Sequence, residues 1–251
     1  GTDGKTIDGM SLQRIESLIE SLKSEAYKPH PARRVYIPKK NGGKRPLGIP
    51  SVEDKLVQEG TRMILEAIYE GAFQNTSHGF RPHKSCHTAL KDIQVNFKGA
   101  KWFIEGDIKG FFDNIDHEWM IKFLEHDIAD KNFIRYIKRF LIGGVMEDGK
   151  RLETESGTVQ GGLISPVLAN VYLHYTLDTW FDYVKKHEFK GEMYMVRYAD
   201  DFVCLFQYEN EARKFYQLLI ERLKKFGLEI AEDKSRILPF GRYKGTKESF
   251  D

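Results

Sequence analysis

Met193-Tyr194-Met195-Val196-Arg197-Tyr198-Ala199-Asp200-Asp201-Phe202-Val203-Cys204-Leu205-Phe206 is the stretch whose reading decides the fold. Two short runs rich in aromatic and branched residues flank a break, the pattern of paired strands. The adjacent acids Asp200 and Asp201 therefore lie at or beside the tip of a buried β-hairpin. Two carboxylates beside buried strands are costly unless a cation meets them. A hard divalent cation that prefers oxygen ligands, such as magnesium, suits them.

Working outward, Trp102-Phe103-Ile104-Glu105-Gly106-Asp107-Ile108 reads as a mostly buried strand that delivers Asp107 at its end. If the two strand systems are neighbours, three carboxylates converge on one sheet edge and repel unless cations sit among them. Two magnesium ions at such a point would suit an in-line displacement at phosphorus. From the acids alone, surface residues or a structural cation site are equally open readings.

The rest of the chain supplies helices. Residues 11–27 have helical spacing, with Leu12, Ile15, Leu18, Ile19 and Leu22 on one face. Helices are also expected at about 53–70 and 84–97. Asp116 is placed to cap a helix to about residue 126, and Ser165 to cap another with Pro166 in its first turn. A last helix over about 210–226 buries Ala212, Phe215, Leu219 and Leu223 and stops at Gly227. Val35–Pro50 reads as a strand, a glycine turn and a return strand. Interleaved hairpins and helices predict an α+β fold.

Composition narrows the class. The 251 residues, 41% hydrophobic and 13% aromatic, suit a globular chain. No apolar run is long enough to span a membrane. An excised piece of a longer protein is expected, because the chain opens Gly1-Thr2-Asp3-Gly4 without Met and stops at Ser249-Phe250-Asp251 without capping or turn chemistry. Cys86 and Cys204 lack metal-ligand spacing and read as reduced thiols in a cytosolic setting. The net charge of +2 says little, but its distribution says more. Lys28, Arg33, Arg34, Lys39, Lys40, Lys44 and Arg45 form a block without an acid, either a solvated basic face or a nucleic-acid contact.

Further motifs surround the acids. In Asp107-Ile108-Lys109-Gly110-Phe111-Phe112-Asp113 a ring near a nucleotide sugar would exclude a 2′-hydroxyl, while at least one of the two Phe must be core. Gln160-Gly161-Gly162 offers an amide beside glycines that let backbone approach a ligand, or a plain turn.

The ordered set Gly79-Phe80-Arg81-Pro82, Asp107 to Asp113, Gln160-Gly161-Gly162 with Ser165-Pro166 and Asn170, and Tyr198-Ala199-Asp200-Asp201 resembles a reverse transcriptase, specifically the kind encoded within bacterial group II introns and also called maturases. Gly1-Thr2-Asp3-Gly4, Ile37 to Pro50 and Gly227-Leu228 with Lys234 match that family too, so the resemblance covers nearly the whole chain. It implies a right-hand polymerase fold. Residues 1–100 would be mostly fingers and 101–251 mostly palm, with some fingers segments inserted and with thumb, maturase and endonuclease regions absent. By the same resemblance Asp107, Asp200 and Asp201 bind two Mg2+ ions, for which Mn2+ substitutes, with Ile108 contributing a backbone carbonyl. Phe112 is the ribose-excluding ring, Lys39 and Arg45 grip the triphosphate, and Gln160 contacts the nucleotide and template region. Tyr198 and Ala199 flank the substrate beside the acids. Lys234 protonates pyrophosphate or is simply a solvent lysine, and Arg81 contacts template phosphate or braces the fingers.

The implied partners are group II intron RNA, an RNA template with a DNA primer, and dNTPs, in a bacterial cytoplasm with nucleoid or RNA association and no membrane. Self-association through surface left by a missing thumb is a further expectation. Two other functions remain open at this point. An RNA-dependent RNA polymerase must accept the 2′-hydroxyl, which Phe112 opposes. An intron RNA-binding module without measurable polymerisation would use the basic block through phosphate attraction alone.

Overall fold

The computed structural model describes residues 1–38, 42–96, 98–152 and 156–240. The first part of the chain forms α1 (Leu12–Lys23), β1 (Ala32–Pro38), β2 (Lys44–Ile49), α2 (Val52–Tyr69) and α3 (Cys86–Asn96). Next come β3 (Trp102–Gly106), α4 (Phe111–Asn114), α5 (His117–Asp127), α6 (Lys131–Leu141), β4 (Val145–Glu147) and β5 (Lys150–Leu152). The last part holds α7 (Ser165–Leu173), a π-helical turn (His174–Asp178), α8 (Thr179–His187), β6 (Met193–Tyr198), β7 (Asp201–Phe206), α9 (Glu209–Lys225) and β8 (Arg236–Pro239).

Local chemistry sets several helix ends. Asp116 caps α5 as expected, its carboxylate accepting from the Trp119 N–H at 2.9 Å. α9 closes in a Schellman arrangement: the Leu228 N–H reaches the Leu223 carbonyl at 3.0 Å and the Gly227 N–H reaches that of Lys224 at 3.1 Å. Ser165 departs from its expected N-cap role. It is the first helical residue of α7, and its hydroxyl donates to the Val159 carbonyl at 2.9 Å. The apolar stripe of α1 is present, yet no residue of α1 is buried and Leu12, Ile15 and Ile19 are exposed.

The chain divides into two units. One comprises Gly1–Ile68 with Phe112–Leu168, the other Tyr69–Phe111 with the chain from Ala169. None of the three junctions, after Ile68, Phe111 and Leu168, lies at residue 100, the approximate boundary expected between fingers and palm. Long-range pairing explains why: residue 77 bridges to Arg197 and β3 pairs with β7, which ties the segment from Tyr69 to the later strands.

The first unit carries a sheet of order β2-β1-β4-β5, in which β1 and β2 form the expected hairpin, from Arg33–Ile49 to Pro38–Lys44. Arg33, Lys44 and Arg45 are exposed on it. The second unit carries an antiparallel sheet of order β6-β7-β3-β8, with α9 packed on β3 and β7. Its core is built where Ile104, Cys204 and Phe206 meet the Phe215 and Leu219 side chains of α9, all fully buried. The architecture is α+β, as the sequence predicts.

Candidate active site

Strand register places the acids. β6 and β7 pair from Met193–Phe206 to Tyr198–Asp201, leaving Ala199 and Asp200 as a two-residue loop. Ala199 has φ 57°, the positive value tight hairpin loops demand. β3 pairs with β7 as far as Gly106–Phe202, and the next position along each strand holds Asp107 and Asp201. Directly opposed residues point to the same side of a sheet. Ile104 and Cys204 therefore face α9, whereas Asp107, Asp201, Glu105 and Val203 share the other face with Val196, Tyr198 and Arg236. A cleft of about 630 Å³ opens there, lined by Asp107, Asp201 and Lys234 with Tyr198, Cys86 and Leu90 around them.

The site is electrostatically tense. Removal from water, followed by the nearby Asp200 and Asp107 carboxylates, pushes the Asp201 carboxyl up to about 6. Asp107 has a positive partner in Lys234, whose ammonium donates to its carboxylate. That hydrogen bond, reinforced by the charge of Asp107, raises the Lys234 pKa and holds it as a cation. The backbone braces Asp107 as well. Its N–H donates to the Ser235 hydroxyl at 3.3 Å, and its carbonyl accepts from the Ala231 N–H at 2.8 Å. Ile108 is buried and bridges to Ile230.

The donor set is all carboxylate oxygen, the kind a hard divalent cation takes, and a cation would relieve the pressure on Asp201. Among the described residues no three His, Cys, Asp or Glu side chains are grouped to hold one ion, and Asp107 takes its counter-charge from Lys234. Asp107 and Asp201 thus fit a divalent cation in kind, as a facing pair rather than a closed cage.

The hairpin tip rests on Gly79. An ideal Cβ built there would lie 2.2 Å from the Ala199 nitrogen, so only glycine permits the approach. Arg81, two residues on, is turned inward. Its donors reach the Glu70 carboxylate at 2.8 and 3.1 Å and the carbonyls of Gln74 and Ser77 at 2.6 and 2.8 Å, and it stacks on Phe73. With its side chain 4% exposed, Arg81 braces the 70–85 segment and has no face to offer a template phosphate. This corrects its place among the substrate contacts. The Tyr198 hydroxyl bonds to Cys86, which raises its pKa.

The other candidates belong to the first unit. Of the two rings after Asp107, Phe111 is the core residue, fully buried against Tyr172 in the second unit, and Phe112 is half-buried. The Phe112 carbonyl accepts from the Thr158 N–H at 2.7 Å. Gln160 is half-buried, and its carbonyl accepts from the Gly48 N–H at 2.6 Å. Gly161, with φ 100°, backs onto the Gly48 carbonyl, so the glycine pair lets two backbone segments approach each other. Lys39 lies outside the described residues.

Sequence reading missed a buried cluster behind the hairpin, Arg197 with Asp178 and Asn170, all within 1% of full burial. A signal existed: a single arginine inside an apolar strand must find buried partners or cost heavily.

Residues 37–247 match the family described as reverse transcriptase (RNA-dependent DNA polymerase). The group II intron-encoded protein LtrA of Lactococcus lactis subsp. cremoris is 55% identical over 170 residues, which are 67% of this chain and 28% of that protein. A 91 kDa protein in the cob intron of Schizosaccharomyces pombe is 48% identical over 192 residues, 76% of this chain and 24% of its own. The chain thus spans about a quarter of the length of these relatives. The structure of telomerase from Candida albicans, solved in complex with a fragment of telomeric RNA, superposes with a TM-score of 0.67. That match covers 94% of this chain and 46% of the telomerase chain at 16% identity, a likeness of right-hand fold.

Proposed function

Since this chain belongs to the reverse transcriptase family, we propose that it carries the polymerising centre of a group II intron-encoded enzyme and adds dNTPs to a primer 3′-hydroxyl on an RNA template. The observation that carries this reading is the facing pair Asp107 and Asp201 on the open side of the β6-β7-β3-β8 sheet, with Asp200 at the loop and Lys234 beside them. Asp107, Asp200 and Asp201 would hold two magnesium ions, or manganese in their place, with Ile108 able to add its backbone carbonyl. When bound, such ions neutralise the acids, sharpen the 3′-oxygen as a nucleophile and steady the leaving pyrophosphate. The 3′-oxygen bonds the α-phosphorus as the bond to the β-phosphate oxygen breaks. Lys234, protonated at neutral pH, gives its proton to pyrophosphate, more readily once Asp107 no longer needs its charge.

By the family's pattern Phe112 excludes the 2′-hydroxyl, Gln160 contacts the nucleotide and template region, and Lys39 and Arg45 hold the triphosphate. Tyr198 and Ala199 sit beside the reacting groups. The exposed basic β1–β2 hairpin favours intron RNA as a further partner, held through its phosphates and shape. Among the described residues no helix is long and apolar enough to cross a membrane. A second reading, RNA binding without synthesis, rests on that hairpin alone.

The two readings separate in the Asp200→Ala, Asp201→Ala double variant, assayed for RNA binding by gel shift and for synthesis by primer extension. Retained binding with lost synthesis is expected. Synthesis by the variant at the parent's rate would overturn the assignment.

A further inference from the structure

Behind the catalytic hairpin lies a charged cluster that the reaction itself does not use. Arg197 is 0% exposed, and its guanidinium forks onto Asp178 at 2.8 and 2.6 Å. The remaining donor, Nη1, is shared between the Asn170 side-chain oxygen at 3.0 Å and the Ala199 carbonyl at 2.9 Å. Asn170 in turn donates to the Gly79 carbonyl at 2.8 Å, under the same loop. Every partner of Arg197 is thus either fixed in the core or part of the loop that carries Asp200.

Asp178 reaches Arg197 from the end of the π turn His174–Asp178. A π turn leaves carbonyls out of the α-helical ladder, and here they are met from outside. Arg222 of α9 donates to the Tyr175 and Thr176 carbonyls at 3.0 and 2.9 Å, and the Thr179 hydroxyl donates to Tyr175 at 3.3 Å. Such turns occur disproportionately at functional positions. Arg197 is also pinned along its backbone, its N–H on the Thr76 carbonyl at 2.9 Å and its carbonyl on the His78 N–H at 2.8 Å.

A buried ion pair is poor evidence of stability, because apolar residues of similar volume often serve the core as well or better. What this pair has is direction. Ala199 holds a left-handed backbone that a residue with a Cβ disfavours, and the guanidinium grips its carbonyl. We propose that Arg197 is a positioning residue, which, held by Asp178 and Asn170, fixes the Ala199 carbonyl and so sets where Asp200 and Asp201 stand relative to Asp107. This rests on the polymerase reading of the hairpin.

The test pairs two variants of the chain with the parent. Arg197→Met with Asp178→Leu removes both charges together, so no buried charge is left unpaired and the fold should survive, while the Asn170 oxygen and the Ala199 carbonyl lose their donor. Arg197→Lys keeps the buried charge but lacks a fork that serves Asp178 and Ala199 at once. Mn2+ affinity is read by electron paramagnetic resonance of the free ion, melting by circular dichroism, and single-nucleotide addition by primer extension. Partners that orient metal ligands typically change affinity or activity by about 10- to 100-fold. The expected result is folded variants with Mn2+ affinity and kcat each down at least about ten-fold and an unchanged KM for template–primer. Folded variants that bind Mn2+ and extend as the parent does would overturn the proposal. So would loss of fold in both variants, which would assign Arg197 to the core alone. A parent that neither binds Mn2+ nor extends would instead refute the polymerase reading.

Discussion

Gly79→Ala is the sharpest probe of how the hairpin is seated. The added methyl would stand 2.2 Å from the Ala199 nitrogen, 2.9 Å from its Cα and 3.0 Å from the Tyr198 carbonyl carbon. All three are backbone atoms of the tip, so no side chain can swing away. Restoring ordinary contact moves the loop by about 1 Å, and misplacement of reacting groups by that distance costs on the order of 10²-fold in rate. Overpacking of this kind also costs about 1 to 3 kcal/mol of stability. Single-nucleotide addition on an RNA template, with melting followed in parallel, measures both. The variant should remain folded at 25 °C and lose roughly 100-fold in kcat. A kcat within about three-fold of the parent, in a folded variant, would refute the claim that Gly79 sets the position of the acids.

Three further outcomes are expected. Asp201→Asn should raise Tm at pH 7.5, with the gain shrinking by pH 4.5. A carboxyl whose folded pKa is raised to about 6 adds stability only when protonated, and that contribution disappears as pH rises through 6. A lower Tm at pH 7.5 would contradict the picture of crowded carboxylates. Arg81→Gln should cost about 1 to 3 kcal/mol in denaturant unfolding because it strips the Gln74 and Ser77 carbonyls of their donor. Its KM for template–primer should stay unchanged, whereas a raised KM with full stability would restore a template contact. Gly60→Ala, at an exposed position inside α2 with nothing within 4 Å, should add about 0.5 to 1 kcal/mol and leave synthesis untouched. Loss of activity there would point to a contact that the fold does not reveal.

Features encoded over a few residues were legible in the sequence. The β6–β7 hairpin, the Asp116 cap and the Gly227 stop are each fixed by neighbours in the chain, and each stands where the pattern puts it. Features set by distant pairing were not. Lys234 and Asp107 are 127 residues apart, and no local pattern joins them; family resemblance alone brought Lys234 into view. The inward turn of Arg81 depends on Glu70 and on carbonyls of a loop that periodicity does not predict. β8 is short and gains its place only through register with β3. The two-unit division likewise follows from pairing between early and late segments. The acids were visible because adjacent carboxylates at a strand break are unusual, whereas Arg197 was passed over because a single charge in a strand carries no motif.

Primer extension by the parent chain on an RNA template, with magnesium and either dNTPs or NTPs, bears most directly on the central claim. The account predicts successive addition of deoxynucleotides, none without the metal, and strong discrimination against NTPs. A folded chain that binds the primer–template and adds no nucleotide, or that adds NTPs as readily as dNTPs, would contradict it.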